Sequence, residues 1–162
     1  MKEVIYANTG EVKTGDSNNT LNSGAIGSCV VVTIYDALKK IGAMAHIMLP
    51  GIAPEGKTFN ATKYASNAIH QIVELMRKGN NQINNLETCI IGGANVLRRP
   101  NDTIGQFNIK SVEKLLDEKG LKICARAIGG VERRTAIFDV EKGCVYFTEG
   151  DSKQKILWQT KS

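Results

Sequence analysis

Aromatic residues are scarce in this chain, and the patterns that would mark an unusual class of protein are missing. Phe, Trp and Tyr make up 6% of its 162 residues, so aliphatic side chains must fill most of the core. The hydrophobic share of 42% and the charged share of 23% are ordinary for a globular protein and suffice for a core without disulfide or metal. We find no internal repeat, low-complexity tract or linker, and we predict a single domain over residues 1–162.

Export signals, long apolar runs and paired cysteines are also missing. The N-terminus, MKEVIY, does not combine a basic start with a signal-type apolar stretch, and the longest apolar runs are too short to span a bilayer. We therefore expect a cytoplasmic protein that is not inserted in a membrane. The cysteines are widely spaced without a C-x-x-C pair, which argues against a zinc ribbon or a redox dithiol and favours reduced thiols. They are Cys29, Cys89, Cys124 and Cys144.

The chain is basic, with a net charge of +5 and a pI of about 9.0. Its basic residues are scattered, and only short pairs occur, such as Lys39-Lys40, Arg98-Arg99 and Arg133-Arg134. Because no basic stripe is interleaved with aromatic residues, nucleic-acid binding is not favoured. The positive balance would instead suit an acidic partner surface.

Strands dominate the predicted secondary structure. Residues 2–6 predict a first strand, and the polar stretch from Asn8 to Ser28 predicts a long loop, a feature that is often functional. We predict an α+β fold in which mixed β-sheets pack in layers with two main helices. The further predicted strands are 29–35, 42–49 and 87–91, and then, approximately, 121–127, 134–140, 144–149 and 155–159.

Two segments have the apolar periodicity of helices. Residues 63–78 are apolar at three- and four-residue steps, and Gly79 supplies a C-terminal stop. A second helix is predicted from about residue 109 to 119, with Asn108 as its N-cap and Gly120 just past its end.

The chain contains only two histidines, His46 and His70. His70 lies on the polar face of the first predicted helix, and we interpret it as solvated. His46 lies inside an apolar run, where an imidazole needs a hydrogen-bonding partner or a catalytic role. A core histidine with a satisfied hydrogen bond and a catalytic histidine both fit that position.

Cys29 follows a loop, residues 24–28, whose glycines could bring backbone N–H groups towards a ligand. A structural cysteine also fits, because free cysteine packs as a small hydrophobe. The other three cysteines lie within strand-like runs, and we interpret them as structural. Cys29 and His46 would share a face only if their strands are neighbours, which spacing alone does not establish.

Two segments carry a recognisable pattern: Gly27-Ser28-Cys29-Val30-Val31-Val32, and the run from Gly42 to Pro50 that contains His46. Together they resemble the CheD family of chemoreceptor glutamine deamidases. His46 follows Cys29 by 17 residues, which is similar to the spacing in that family. Further matches cover nearly the whole chain: Lys63-Tyr64-Ala65, Gly92-Gly93-Ala94, Ile104-Gly105 with Asn108, Gly129-Gly130 and Arg133-Arg134.

The resemblance implies a cysteine-dependent hydrolase related in fold to bacterial deamidating toxins. Such an enzyme converts glutamines on the cytoplasmic helices of chemotaxis receptors into glutamates, through a cysteine thioester and without metal or organic cofactor. Members also bind a receptor-array phosphatase, CheC. Carried over to this chain, the resemblance makes Cys29 the nucleophile and His46 the base, with a nearby imidazolium lowering the pKa of the thiol.

The remaining site positions depart in part from the family pattern. Where the family usually has a threonine six residues before the cysteine, this chain has Ser23, with Thr20 close by. Serine keeps a hydroxyl that could bond to the imidazole but lacks the methyl that stiffens the rotamer. Backbone N–H groups around Gly27 and Ser28 are the candidates for stabilising an oxyanion. Ala127 stands where an acidic residue would be expected.

Three other functions stay open at this point. The chain could be a catalytically weak or inactive regulator that binds a CheC-type phosphatase, with Ser23 the sign of a decayed site. It could be a cysteine hydrolase or transglutaminase that acts on another amide. It could also be a ligand-binding module in which Gly92-Gly93 and Arg98-Arg99 form an anion nest, although such pairs are more often a turn and a solvated surface.

Overall fold

The structure is a computed structural model that describes residues 2–56, 59–78 and 82–162. Its two α-helices are α1 (Ala65–Arg77) and α2 (Ile104–Glu118), and single 3-10 turns lie at Ala61–Lys63 and Ile83–Asn85. The strands are β1 (Glu3–Tyr6), β2 (Val12–Gly15), β3 (Asn19–Ile26), β4 (Val30–Asp36), β5 (Ile41–Ile47), β6 (Leu86–Gly92), β7 (Ile123–Ile128), β8 (Arg134–Asp139), β9 (Cys144–Glu149) and β10 (Lys155–Gln159).

The strands form two five-stranded sheets, and both are mixed. The first sheet has the order β1-β3-β8-β9-β10, in which β1 and β3 are parallel. The second has the order β2-β5-β4-β6-β7, in which β6 and β7 are parallel. The other neighbours are antiparallel. The predicted α+β fold with mixed sheets in layers and two main helices is therefore confirmed.

Two apolar clusters hold the molecule together as three layers. One lies between the second sheet and the helices, where Ile34 of β4 packs with Ile69 of α1. The other lies between the two sheets, where Val31 of β4 packs with Phe138 of β8. Because β4 is buried on both faces along its whole length, its sequence is a nearly continuous apolar run rather than an alternating one. Each fully buried aliphatic side chain of this kind contributes about 1.5–3 kcal/mol.

The predicted loop from Asn8 to Ser28 is wrong, because β2 and β3 lie within it. β3 is polar in composition, and only Leu21 and Ile26 provide it with large buried apolar side chains. Its ladder partners are β1 and β8, and β8 lies more than a hundred residues along the chain. Long-range pairing, rather than local pattern, makes this segment a strand.

The predicted start of the second helix is also wrong. α2 begins at Ile104, and the Asp102 carboxylate accepts a hydrogen bond from the Ile104 N–H at 3.2 Å. Asn108 is therefore not an N-cap but a fully buried residue in the helix interior. Gly120 follows the helix at φ +77°, as predicted. Gly79, the predicted stop of α1, lies outside the described residues.

None of the helices in the described ranges is long and apolar enough to cross a membrane.

Candidate active site

The antiparallel pairing of β4 with β5 brings Cys29 and His46 to one face of the second sheet. His46 lies directly opposite Val31, and Cys29 precedes Val31 by two residues, so both side chains point towards the first sheet. Diagonal neighbours of this kind lie about 7 Å apart, which the longer side chains can bridge. Cys29 is half-buried and packs against the apolar cluster between the sheets, and His46 is 4% exposed. The strand register thus puts the two residues on one face as diagonal neighbours, which sequence spacing left open.

A backbone carbonyl fixes the tautomer of His46. Nδ1 lies 2.9 Å from the carbonyl oxygen of Ala7. Because a carbonyl only accepts, Nδ1 must carry the proton, and Nε2 is left with its lone pair as a potential proton acceptor. The same N-terminal segment also fixes the strand, since the Gly10 N–H donates to the His46 carbonyl and the His46 N–H donates to the Glu11 carbonyl. Sequence reasoning missed Ala7, because a backbone carbonyl carries no residue-type signal.

Burial disfavours the charged forms of both Cys29 and His46. Burial raises the pKa of the Cys29 thiol above its ordinary value of 9.0. Burial lowers the pKa of His46 below 6.5, although its bond to Ala7 and the charge of Glu11 act in the opposite direction. Both shifts act against a thiolate and an imidazolium in the resting site.

Ser23 lies in β3 with 3% of its surface exposed, on the inward face that also carries Leu21. Its hydroxyl donates to the Gly24 carbonyl at 2.7 Å and accepts from the Ala136 N–H at 2.9 Å. The pairing of β3 with β8 shifts register at this point. Without the Ser23 hydroxyl, the Ala136 N–H would have no partner in the ladder. Within the described chain, no hydrogen bond joins Ser23 to His46. Thr20, by alternation, points to the opposite face of β3.

The loop before β4 has its carbonyls occupied and its N–H groups free. The Gly27, Ser28 and Cys29 carbonyls all accept hydrogen bonds, whereas none of their N–H groups donates to another group in the described part of the protein. Free N–H groups beside a nucleophile are the arrangement that an oxyanion site requires. The donors to the three carbonyls are Ala94 N–H, Asn108 Nδ2 and Gly93 N–H, each at 2.9 Å.

Glycines at the end of β6 allow the chain to approach Cys29 closely. Gly92 has φ +117°, and a Cβ atom there would overlap the Cys29 carbonyl oxygen. A Cβ atom on Gly93 would come within 2.5 Å of the Ile109 side chain of α2. The Gly93 N–H already donates to the Cys29 carbonyl, and Nη2 of Arg98 lies 3.4 Å from Oε1 of Glu132, so two of the four residues considered for an anion nest already have partners within the protein.

The position where an acidic residue was expected contributes no charge. Ala127 lies in β7, 8% exposed, and packs in the cluster between the sheets. Across residues 2–56, 59–78 and 82–162, no group of three or more His, Cys, Asp or Glu side chains is close enough to hold a metal ion.

Large apolar side chains are exposed on the segments around Cys29. Val96 lies against Gly27, and Ile104 and Phe107 belong to the first turns of α2, which contacts the Cys29 loop. Several exposed large apolar side chains near one site are more typical of contact with a protein than of contact with a small polar molecule. The exposed fractions are 39% for Met48, 38% for Val96, 68% for Leu97, 48% for Ile104 and 54% for Phe107.

Comparison with known proteins identifies similar sequences along most of the chain. A family model described as CheD chemotactic sensory transduction matches residues 48–149. A probable chemoreceptor glutamine deamidase CheD from Chlorobium luteolum is 36% identical over 154 residues, which are 95% of this chain and 77% of that protein. The chemoreceptor glutamine deamidase CheD of Thermotoga maritima is 36% identical over 143 residues, 88% of each chain. A probable CheD from Clostridium novyi is 39% identical over 124 residues, 74% of this chain and 76% of its own.

The family model begins after both Cys29 and His46, so its match rests on the rest of the chain. The Chlorobium relative extends across the segment that carries both residues.

Proposed function

The chain belongs to the CheD family, and we propose that it hydrolyses the side-chain amides of specific glutamines on chemotaxis receptors, yielding glutamate and ammonia. The observation that carries the proposal is the placement of Cys29 and His46 on one face of adjacent strands, with Nε2 of His46 free to accept a proton. The printed names of the relatives, chemoreceptor glutamine deamidase, support the substrate class.

The proposed reaction begins with the neutral pair. As the Cys29 sulfur attacks the carboxamide carbon of glutamine, Nε2 of His46 takes the thiol proton. The imidazolium then gives that proton to the departing nitrogen, ammonia leaves, and a γ-glutamyl thioester remains on Cys29. Positioned proton transfer of this kind contributes about 10²- to 10⁴-fold in rate.

Water completes the reaction through the same two residues. His46 takes a proton from water, the resulting hydroxide attacks the thioester carbonyl, and the sulfur leaves and is reprotonated by the imidazolium. Glutamate is released and the site returns to its starting state. The free N–H groups of Gly27, Ser28 and Cys29 are our candidates for holding the oxyanion in both halves of the reaction, and one such donor contributes about 10²- to 10³-fold. The scheme needs no cofactor.

We propose a positioning role for Ser23 in this scheme. Its hydroxyl braces the irregular part of β3 that faces the pair, and one of its lone pairs remains after the bonds to Gly24 and Ala136. That lone pair is our candidate acceptor for the Nε2–H of the imidazolium in the interval before this proton passes to the departing nitrogen. In the resting site the carbonyl of Ala7 is the group that orients the ring.

The partners follow from the family. The exposed apolar side chains around Cys29 suit the surface of a receptor helix, and the net charge of +5 suits one rich in carboxylates. We further propose that the reaction takes place in the cytoplasm, that a CheC-type phosphatase competes with receptors for the protein, and that the fold is related to bacterial deamidating toxins, as the sequence resemblance implies.

Peptide mass spectrometry of a receptor cytoplasmic fragment tests the proposal. Wild-type protein should convert particular glutamines into glutamates, and Cys29→Ala should not. Cys124→Ala is the matched control, because Cys124 is also a free, half-buried cysteine but lies in β7, at the far edge of the second sheet. It should retain wild-type activity.

Three results would redirect the assignment. If receptor peptides stay unmodified with both wild type and Cys29→Ala while both proteins still bind the phosphatase, the chain is a non-catalytic regulator. Amine crosslinking, or modification of unrelated proteins in place of receptors, would identify a cysteine hydrolase or transglutaminase of another specificity. Glutamate formation by Cys29→Ala would exclude Cys29 as the nucleophile.

A further inference from the structure

Asn108 occupies a position in α2 where the pattern of the helix calls for an apolar side chain. The buried residues of α2 are Gly105, Asn108, Val112 and Leu116, which form the stripe that faces the second sheet. Asn108 is fully buried within that stripe. A buried carboxamide is unfavourable in a core unless its hydrogen bonds are made, so its presence needs a reason other than packing.

The carboxamide joins the segment of Cys29 to the segment of His46. Nδ2 donates to the carbonyl of Ser28 at 2.9 Å and to the carbonyl of Met48 at 3.0 Å. Ser28 immediately precedes Cys29, and Met48 follows His46 by two residues. One side chain therefore uses both of its N–H bonds to connect the chain on either side of the reacting pair.

The other end of the carboxamide makes no such contribution. Oδ1 of Asn108 is buried and has no hydrogen-bond partner among the described residues. An unpaired buried acceptor opposes folding. The unpaired Oδ1 thus reduces the net contribution of this side chain to stability. The two hydrogen bonds from Nδ2 still connect the Ser28 and Met48 carbonyls, at the two ends of the site.

α2 provides Asn108 with a fixed base. The backbone of Gly105 packs directly against Gly93, whose N–H donates to the Cys29 carbonyl. One turn further along, the Ser111 hydroxyl accepts from the Gly51 N–H at 2.9 Å. The helix therefore touches the Cys29 segment and the segment after β5 on both sides of Asn108.

We infer that Asn108 is a positioning residue, which sets the separation of the Cys29 sulfur and the His46 imidazole by holding the Ser28 and Met48 carbonyls together. The inference rests on the proposed function for its catalytic consequence. It also has a consequence that does not depend on any substrate. Loss of the cross-link should let the Cys29 loop move outwards, so that the thiol becomes more hydrated and its thiolate less disfavoured.

The test compares three variants by deamidation kinetics and by the rate of Cys29 alkylation with iodoacetamide. Asn108→Ala removes both donors. Asn108→Asp keeps the size of the side chain but turns an oxygen towards the two carbonyls. Val112→Ala, one turn along the same buried stripe, truncates the core without touching either carbonyl, and is the control for lost stability. Folding of each is checked by circular dichroism and thermal melting.

We expect both Asn108 variants to lower kcat by about 10²-fold, with KM changed by less than about threefold, because the reacting groups are misplaced while the docking surface is intact. Cys29 alkylation near neutral pH should rise by about threefold or more in Asn108→Ala. Relative to wild type, Asn108→Asp should recover in kcat as the pH falls, because a protonated carboxyl again donates one hydrogen bond. Val112→Ala should keep both kcat and alkylation within about twofold of wild type.

Several outcomes would overturn the inference. One is a folded Asn108→Ala that keeps the wild-type kcat and the wild-type alkylation rate. Another is a wild-type kcat in Asn108→Asp. A third is a loss of kcat in Val112→Ala as large as that in Asn108→Ala. Failure of both Asn108 variants to fold would show that the residue serves stability and not positioning. If the proposed function fails instead, wild-type protein will not deamidate receptors, and the alkylation comparison still decides the role of Asn108.

Discussion

Gly92→Ala is the substitution whose cost follows most directly from the structure. Gly92 ends β6 at φ +117°, a conformation that side-chain-bearing residues rarely adopt. A Cβ atom there would overlap the carbonyl oxygen of Cys29 and lie 2.9 Å from the Ile26 side chain. The Cys29 carbonyl cannot easily retreat, because the Gly93 N–H already donates to it. The substitution therefore adds a clash to a strained backbone.

The two costs can be separated with a matched variant. Gly51 has φ +76° with no atom within 4 Å of an added Cβ, so Gly51→Ala carries backbone strain alone, about 1–2 kcal/mol. Gly92→Ala carries strain of about 1–3 kcal/mol and a further 1–3 kcal/mol or so for overpacking, which gives a loss of about 4 kcal/mol. For a chain of this length these losses correspond to decreases in Tm of about 4 °C for Gly51→Ala and about 10 °C for Gly92→Ala.

Thermal melting and urea denaturation measure both stabilities, and the receptor-fragment assay measures activity. We expect Gly92→Ala to lose deamidation even at temperatures where it is folded, since relief of the clash must displace the Cys29 backbone. Gly51→Ala should remain active. Equal stabilities for the two variants, or full activity in a folded Gly92→Ala, would refute the close packing of β6 against the Cys29 segment.

Three further predictions concern the protonation of His46, the irregular part of β3 and the reactivity of the cysteines. Because burial lowers the pKa of His46 from 6.5, the unfolded chain binds a proton at higher pH than the folded one, so stability should fall as the pH drops through 6.5. Urea denaturation near pH 7.5 and pH 5.5 should show a smaller fall in His46→Gln than in wild type. The control His70→Gln, changed at an exposed site, should match wild type. Ser23→Ala should lower the free energy of unfolding, measured with urea, by about 1–3 kcal/mol, because the buried Ala136 N–H loses its acceptor. Ser23→Thr keeps a hydroxyl and should lose less. An unchanged urea midpoint for Ser23→Ala would contradict the bracing role. Iodoacetamide near pH 8 should modify Cys29 before Cys89, because burial raises the pKa of the Cys89 thiol to about 12. Equal modification rates, measured by peptide mapping, would argue against the half-buried placement of Cys29.

Elements with a strong local pattern were predictable from the sequence. β4 is a nearly continuous apolar run, α1 has a clear helical stripe, and the four strands after α2 lie close to their predicted bounds because turn residues separate them. β3 escaped prediction because its polar segment becomes a strand only through pairing with β1 and the distant β8. The start of α2 was missed because its N-cap, Thr103, makes no side-chain capping bond and its first turn lies ahead of the apolar stripe that marked the helix.

The candidate site divides in a similar way. Cys29 and His46 could be singled out by residue type and by resemblance, but their shared face depends on the register of β4 with β5. The carbonyl of Ala7 that orients the imidazole could not be read from residue types. Asn108 was assigned as a helix cap, although its actual contacts are with two carbonyls far away in sequence. Burial of the two residues, which raises the pKa of the Cys29 thiol and lowers that of His46, depends on the packing of the two sheets and could not be predicted from local sequence.

We propose above all that glutamine is hydrolysed through a thioester on Cys29 with His46 as the base. The most direct measurement is to mix the protein with a receptor cytoplasmic fragment, quench with acid before one turnover is complete, and map the cysteine peptides by mass spectrometry. We predict a hydroxylamine-sensitive adduct of the receptor glutamine on Cys29 in the wild type and none in His46→Gln. Glutamate that accumulates while Cys29 stays unmodified at every time point, or an adduct on another cysteine, would contradict the account.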